Sequence, residues 1–395
     1  MLESRFSRDS MLRVLSLWLA LAPTVIAAPA HAEPSQAPIL ACATVPELGS
    51  LAQAVGGDKV SVTVFAKPTE DPHFVEAKPS FIKAMNQCDL YIQVGLDLEV
   101  GWAPLLLENA RNARIQPGAA GYVDASVVIN PLQVPTTPVS RLLGDVHPAG
   151  NPHYLTDPVN GLHVANLLKQ RISELRPEFA SYFEQRYAQF AHHLAQELVG
   201  PRLAEQYGAS GAEKLATLYQ RGKLEAFLES QGQRTQLSGW LGQMLPHRGA
   251  EVVDDHDQWP YFAARFGIEM MGHMEPKPGV PPTTKHLGEL VKRMHAAKVS
   301  VIITSAYYDP RHAQFLASQT DAEVVPLANE AGAQAGTNDY LSMVDYNVRR
   351  LASALSASER SGNARPRHDA RSSTRVARSI HDQSAFLCRS WLNLP

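Results

Sequence analysis

The stretch KVSVTVFAKPTEDPHFVEAKPSFIKAMNQCDLYIQVG, residues 59–95, decides the fold. Its opening alternates branched apolar with polar side chains, the period-two pattern of a half-buried strand. VEAKPSFIKAMNQ then carries helical spacing, and CDLYIQVG is the short apolar run of a buried strand. Strand, loop, helix and strand make the repeating unit of a parallel sheet with helices on its faces. The loop after the first strand holds His73, preceded by Asp71 and Pro72. In open sheets of this kind ligands bind beyond the carboxyl ends of the strands, so His73 stands where a site would form.

The same alternation extends in both directions. APILACATV reads as a strand, PELGSLAQAVGG as a helix closed by glycines, and LEVGWAPLLLENAR as a further helix. Asp157-Pro158 opens a long helical region, because Asp is a favoured N-cap and Pro fits the first helical position. Beyond Arg176-Pro177, the residues Phe179, Tyr182, Phe183, Tyr187 and Phe190 recur at helical spacing and predict a buried aromatic stripe. The second half repeats the pattern, with strands at GAEVVDD, IEMMGHME, VSVIITSAYY and AEVVPLA. Helical PYFAARFG, PTTKHLGELVKRMHAAK and DPRHAQFLASQT separate them, and DYLSMVDYNVRRLASALSA reads as the last helix. The expected fold is α/β: two lobes, each with a mostly parallel sheet flanked by helices, joined by a long connecting helix. The lobes are placed at 33–157 and 201–357, with the connecting helical segment at 158–200.

The two ends differ from this pattern. Arg5, Arg8 and Arg13 precede the apolar run VLSLWLALAPTVIAA and the small-residue sequence Ala30-His31-Ala32. That order predicts a cleaved secretory signal peptide over residues 1–32 and export of a chain starting near Glu33. The apolar run is short for a membrane span and contains Pro23. Residues 358–395 are rich in Ser and Arg without apolar periodicity and read as a disordered tail. A net charge of −3 gives no electrostatic case for a nucleic-acid partner. With three cysteines, Cys42, Cys88 and Cys388, the chain is no disulfide scaffold; Cys42 and Cys88 read as buried thiols rather than a bridge.

Four residues fall at equivalent strand-to-helix positions. His73 follows the strand KVSVTVFA, His153 precedes the Asp157-Pro158 helix start, His256 follows GAEVVDD, and Asp339 precedes the last helix. Three imidazoles and one carboxylate, two from each half, complete a tetrahedral shell for a divalent ion of the zinc type. Each residue also has a plainer reading: loop histidines are commonly surface residues, and Asp before a helix is commonly its N-cap. His147, six residues before His153, reads either as a loop histidine or as a spare ligand.

The segments EDPHFVEAKPS, GNPHYLTDP, HDQWPYFAARFG, MEPKPGVPPTTKHL and NDYLSMVDYNV resemble, in order and spacing, the zinc- and manganese-binding solute receptors of ABC importers, over residues 37–355. The resemblance implies an exported, monomeric metal-binding protein of two lobes with the ion in the cleft between them, delivering it to an inner-membrane permease from the periplasm. It implies His73, His153 and His256 as ligands, with Asp339 as the acidic ligand before the last helix. In that family a carboxylate in place of the third histidine goes with manganese, so His256 makes Zn2+ the first expectation and Mn2+ the second. The chain departs from the family in carrying Leu155 where many relatives have Trp, and in having no histidine in residues 114–145, where many zinc receptors carry a His-rich loop. Asp71, Asp157 and Asp257 adjoin the candidate ligands as residues to orient the imidazoles.

A closed four-ligand shell leaves no open position for water or substrate, which favours a binder over an enzyme. Two alternatives stand beside the zinc receptor. One is a manganese or iron receptor of the same fold. The other is a secreted zinc hydrolase with three histidine ligands and Asp339 as a base off the metal.

Overall fold

The computed structural model describes residues 37–137, 147–277 and 279–364. The expected signal peptide, Cys388 and all but the start of the expected tail lie outside them. Four strands form the first sheet: β1 (Ile39–Ala43), β2 (Val60–Val64), β3 (Leu90–Gln93) and β4 (Tyr122–Asp124). They are parallel and ordered β2-β1-β3-β4, with Ile39 opposite Val60, Ala41 opposite Leu90 and Tyr91 opposite Tyr122. Helices α1 (Pro46–Gly56), α2 (Pro79–Gln87) and α3 (Ala103–Ala110) form its crossovers. β1 reads as a near-continuous apolar run because a parallel strand in mid-sheet is covered on both faces.

The second sheet repeats this topology. β5 (Glu251–Asp254), β6 (Glu269–His273), β7 (Val301–Thr304) and β8 (Glu323–Pro326) are parallel in the order β6-β5-β7-β8. In each sheet the earliest strand lies between the second and third, so the two sheets place their carboxyl-end loops alike.

Between the sheets the chain is helical. α4 (Pro158–Leu175) starts where Asp157 accepts from the Val159 N–H at 2.9 Å, with Pro158 in the first turn. It stops before Pro177, whose ring and missing N–H break the hydrogen-bond ladder. α5 (Ala180–Val199) ends at Gly200, whose φ of 94° an L side chain rarely adopts, and α6 (Pro201–Gln220) follows. On α5, Phe183 and Phe190 are buried while Tyr182 and Tyr187 pack at the margin, so the aromatic stripe forms with a wet edge. Two short helices, α7 (Leu224–Ser230) and α8 (Trp240–Met244), lead into β5. The second sheet carries α9 (Pro260–Phe266), α10 (Thr284–Ala297), α11 (Pro310–Thr320) and α12 (Tyr340–Ala364). α12 continues past Ser358 as far as Ala364, so the helix enters the segment expected to be disordered tail.

One hydrophobic core spans both halves. It runs from Ile39 and Leu48 through Leu168, Leu194 and Phe262 to Val348, and a smaller cluster around Leu290 and Ile302 lies under α10 and α11. Polar contacts cross the same boundary. Arg265 of α9 makes a two-pronged salt bridge with Asp157, Nε to Oδ1 at 2.7 Å and Nη2 to Oδ2 at 2.8 Å. The Tyr340 hydroxyl donates to the Leu155 carbonyl at 2.8 Å, across the face of α4 where Gly161 leaves room for its ring. Glu47 on α1 accepts from the Ala331 N–H and shares a hydrogen bond with Glu330; burial pushes both carboxyls up, which keeps a proton between them. Cys42 and Cys88 are free, buried and in side-chain contact, as the thiol reading had it.

The Asp157–Arg265 pair is 6% and 7% exposed at its side chains. Removing one partner strands the other charge out of water, which costs about 3–5 kcal/mol. Arg265→Met is therefore expected to lower the urea unfolding free energy by about that amount, with Asp157→Leu/Arg265→Met recovering a large part of it.

Candidate metal centre

His73 sits in a short turn, Pro72–Phe74, between β2 and α2. Asp71 caps this turn, accepting from the His73 N–H at 3.0 Å and holding its Nδ1 at 2.7 Å. The Trp102 indole donates to the Pro72 carbonyl at 2.9 Å and fixes the turn from below. Because Asp71 takes the Nδ1 proton, the Nε2 lone pair of His73 is left free to bind. Burial would push the Asp71 carboxyl up, but the contacts with His73 outweigh it and hold Asp71 low, charged for this task.

His153 precedes the turn Tyr154–Thr156 that leads into α4. Asn151 accepts from the His153 N–H at 2.9 Å and donates to the Asp257 carbonyl at 2.7 Å, so one amide ties the His153 segment to the loop after β5. The His153 Nε2 is buried with no hydrogen-bond partner. Burial and the neighbouring imidazoles push its pKa well below the usual histidine range, which keeps it neutral.

His256 follows β5, with 5% of its side chain exposed and its Nδ1 held by Glu275 at 2.8 Å. Glu275 lies just beyond β6, the neighbour of β5 in the sheet. The ring lies nearly parallel to Tyr308, centroids 5.9 Å apart. Glu275 does for His256 what Asp71 does for His73, leaving Nε2 as the free donor.

The structure brings these three imidazoles together. Ring centroids of His73, His153 and His256 are 5.2, 5.8 and 5.6 Å apart, and one nitrogen from each lies within 4.8 Å of the others. A tetrahedral zinc ion with metal–nitrogen bonds of about 2.0–2.1 Å needs nitrogens roughly 3.3 Å apart. A fourth imidazole stands beside it: His147 Nε2 is 3.2 Å from His73 Nε2. Burial, with the charges His73 and His256 can carry, pushes the His147 imidazole down to about 3, so it too is neutral.

Asp339 does not join the cluster. Its carboxylate accepts from the Ser342 N–H at 2.8 Å and the Ser342 hydroxyl at 2.9 Å, capping α12. It faces a separate cleft of about 1030 Å³ lined by Ser50, Phe65, Arg186 and Phe190, with none of the three histidines. This corrects the sequence expectation that put Asp339 beside the histidines. The cause is that a helix-capping Asp and a ligand Asp look the same in sequence. Of the candidate orienting acids, Asp71 holds the His73 ring, Asp157 instead pairs with Arg265, and Asp257 accepts from Gln133 at 3.1 Å. Glu275 was missed, because its place next to His256 appears only once β6 is known to flank β5.

Known proteins agree with this architecture. The family described as "Zinc-uptake complex component A periplasmic" matches residues 42–198 and 213–354. The metal ABC transporter substrate-binding lipoprotein FimA of Streptococcus parasanguinis is 22% identical over 78% of this chain and 86% of its own. The manganese-binding lipoprotein MntA of Halalkalibacterium halodurans is likewise 22% identical, covering 78% and 86%. Among solved structures, one titled "Crystal structure of ZnuA" aligns over 80% of this chain and 98% of its own, at 19% identity and a TM-score of 0.57. A manganese-bound periplasmic metal-binding protein from Candidatus Liberibacter asiaticus aligns over the same share at 15% identity, TM-score 0.55. These structures bear on the fold: paired parallel sheets linked by long helices.

Near the centre, His273 at the end of β6 contacts buried Asp254 at 2.6 Å. Burial alone would lower this imidazole, but the Asp254 charge and hydrogen bond raise it to about 9. Burial also pushes Asp254 up against the pull of His273; the short contact with a protonated ring decides for the ion pair. The unfolded imidazole titrates near 6.5, so the stabilisation is full below that pH and is lost as pH rises through about 9. His273→Gln is expected to remove about 1–2 kcal/mol of the stability lost between those limits. Urea unfolding at a series of pH values would show it as a flatter profile.

Proposed function

This chain belongs to the zinc-uptake complex component A family, and from that premise we propose that it captures Zn2+ between its two lobes through His73, His153 and His256. It is a metal ABC transporter substrate-binding protein; the ion and its ligands are the proposal. The observation that carries it is the buried, unpartnered His153 Nε2, facing two imidazoles whose other nitrogens are held by carboxylates. Three neutral nitrogen donors suit zinc better than manganese, which prefers oxygen. The relatives FimA and MntA carry metal and manganese in their descriptions, so a manganese receptor remains the second reading, and metal competition separates the two. The hydrolase reading has no support from the geometry, since Asp339 caps a helix away from the histidines and is not poised as a base.

On this reading the protein works as an exported monomer in the periplasm and hands its ion to an inner-membrane permease. Among the described residues no helix is long and apolar enough to cross a membrane. Each imidazole must be neutral to bind.

Calorimetry under a competing chelator tests the ligand set. One zinc per chain is expected, with His153→Ala weakening it at least a hundredfold. Asp339→Ala should leave zinc binding within about twofold while costing about 1 kcal/mol of stability as a lost cap. Zinc binding unchanged in His153→Ala would sink the proposal.

A further inference from the structure

We propose that His147 supplies a fourth imidazole to the same ion, so that the shell is four nitrogens with no carboxylate ligand; this rests on reading the three-histidine cluster as the metal site. The nitrogen geometry carries the inference. His147 Nε2 and His73 Nε2 face one another at 3.2 Å, with ring centroids 5.2 Å apart. That spacing matches an edge of a tetrahedral zinc–nitrogen shell, roughly 3.3 Å.

An imidazole–imidazole hydrogen bond is the alternative, and it needs a proton between the two rings. With the Nδ1 proton of His73 given to Asp71 and no second proton on that ring, its Nε2 is a bare lone pair turned to the His147 Nε2. Two lone pairs at this distance repel unless a proton or a metal ion lies between them, so the same contact that a proton closes without the ion is spaced for two ligands of one ion.

The placement of His147 is built into the fold. The Gly150 N–H donates to the His147 carbonyl at 3.2 Å, and the Asn151 N–H donates to the Leu132 carbonyl at 2.9 Å. Gly150 has a φ of 109°, and a side chain there would meet Pro131 and the Leu132 carbonyl. This turn brings the chain back so that His147 and His153, six residues apart, address one centre. The nearby carboxylates of Asp71 and Glu275 are taken up in holding imidazoles.

Zinc calorimetry and Co(II) absorption on wild-type protein and His147→Ala, with Zn K-edge spectroscopy on the wild type, test this. The variant is expected to keep one site per chain, bind zinc at least tenfold more weakly and shift the visible bands of bound cobalt as water replaces one imidazole. The wild-type edge data should fit four imidazoles. Equal affinity and an unchanged cobalt spectrum in a variant that melts like wild type would overturn the inference. Should the variant fail to fold, the wild-type spectrum decides, since three imidazoles plus oxygen leaves the three-histidine site standing and excludes His147. Absence of any zinc site in the wild type would overturn the metal reading and this inference together.

Discussion

The buried ion pair between Asp157 and Arg265 is the constraint on which the site depends. Asp157 starts α4 four residues after His153, and Arg265 lies on α9 nine residues after His256. The segments carrying His153 and His256 are therefore fixed to either side of one two-pronged, water-excluded contact. Asn151 adds a second tie by donating to the Asp257 carbonyl, and Tyr261 a third by donating to the Asn151 carbonyl at 2.7 Å. Ion pairs of this kind contribute little net stability against an apolar replacement, but they punish displacement severely. Their effect here is geometric: they hold the two histidine-bearing segments in register.

Around that frame, each imidazole is prepared differently. His73 and His256 are oriented by carboxylates that take the Nδ1 proton and raise the basicity of Nε2. His153 has its backbone pinned by Asn151 while its Nε2 is buried without a hydrogen-bond partner. A buried polar atom without a partner costs free energy in the empty protein, and an arriving cation relieves that cost. The charge balance follows the same logic. On the proposed reading, imidazoles would leave the ion's charge uncompensated at the first contact, and the carboxylates of Asp71 and Glu275 would answer it one ring further out.

Much of this was legible in the sequence, and the losses have specific causes. Period-two strands separated by helical segments gave both sheets, and the rule that ligands lie beyond strand carboxyl ends singled out His73 and His256. His153 was found from the Asp-Pro helix start beside it. β4, three residues long at Tyr122–Asp124, is too short to carry a periodic signal and went unread. Sequence cannot tell a cap from a ligand at Asp339, whereas the structure shows its Oδ1 committed to the Ser342 N–H and hydroxyl. Glu275 and the contact of His147 with His73 depend on strand order and on a turn around Gly150, which are properties of the fold and not of any one segment.

If the three histidines hold the ion, the lobes present them already in place, and loading needs small ring movements and no lobe rotation. Crystal structures with and without zinc, under one set of conditions and with the metal located by its anomalous signal, test it directly. The expected result is a peak about 2.0–2.1 Å from Nε2 of His73, His153 and His256, with the Asp157–Arg265 contact intact in both states. A peak elsewhere, or a lobe rotation on loading that separates Asp157 from Arg265, would contradict it.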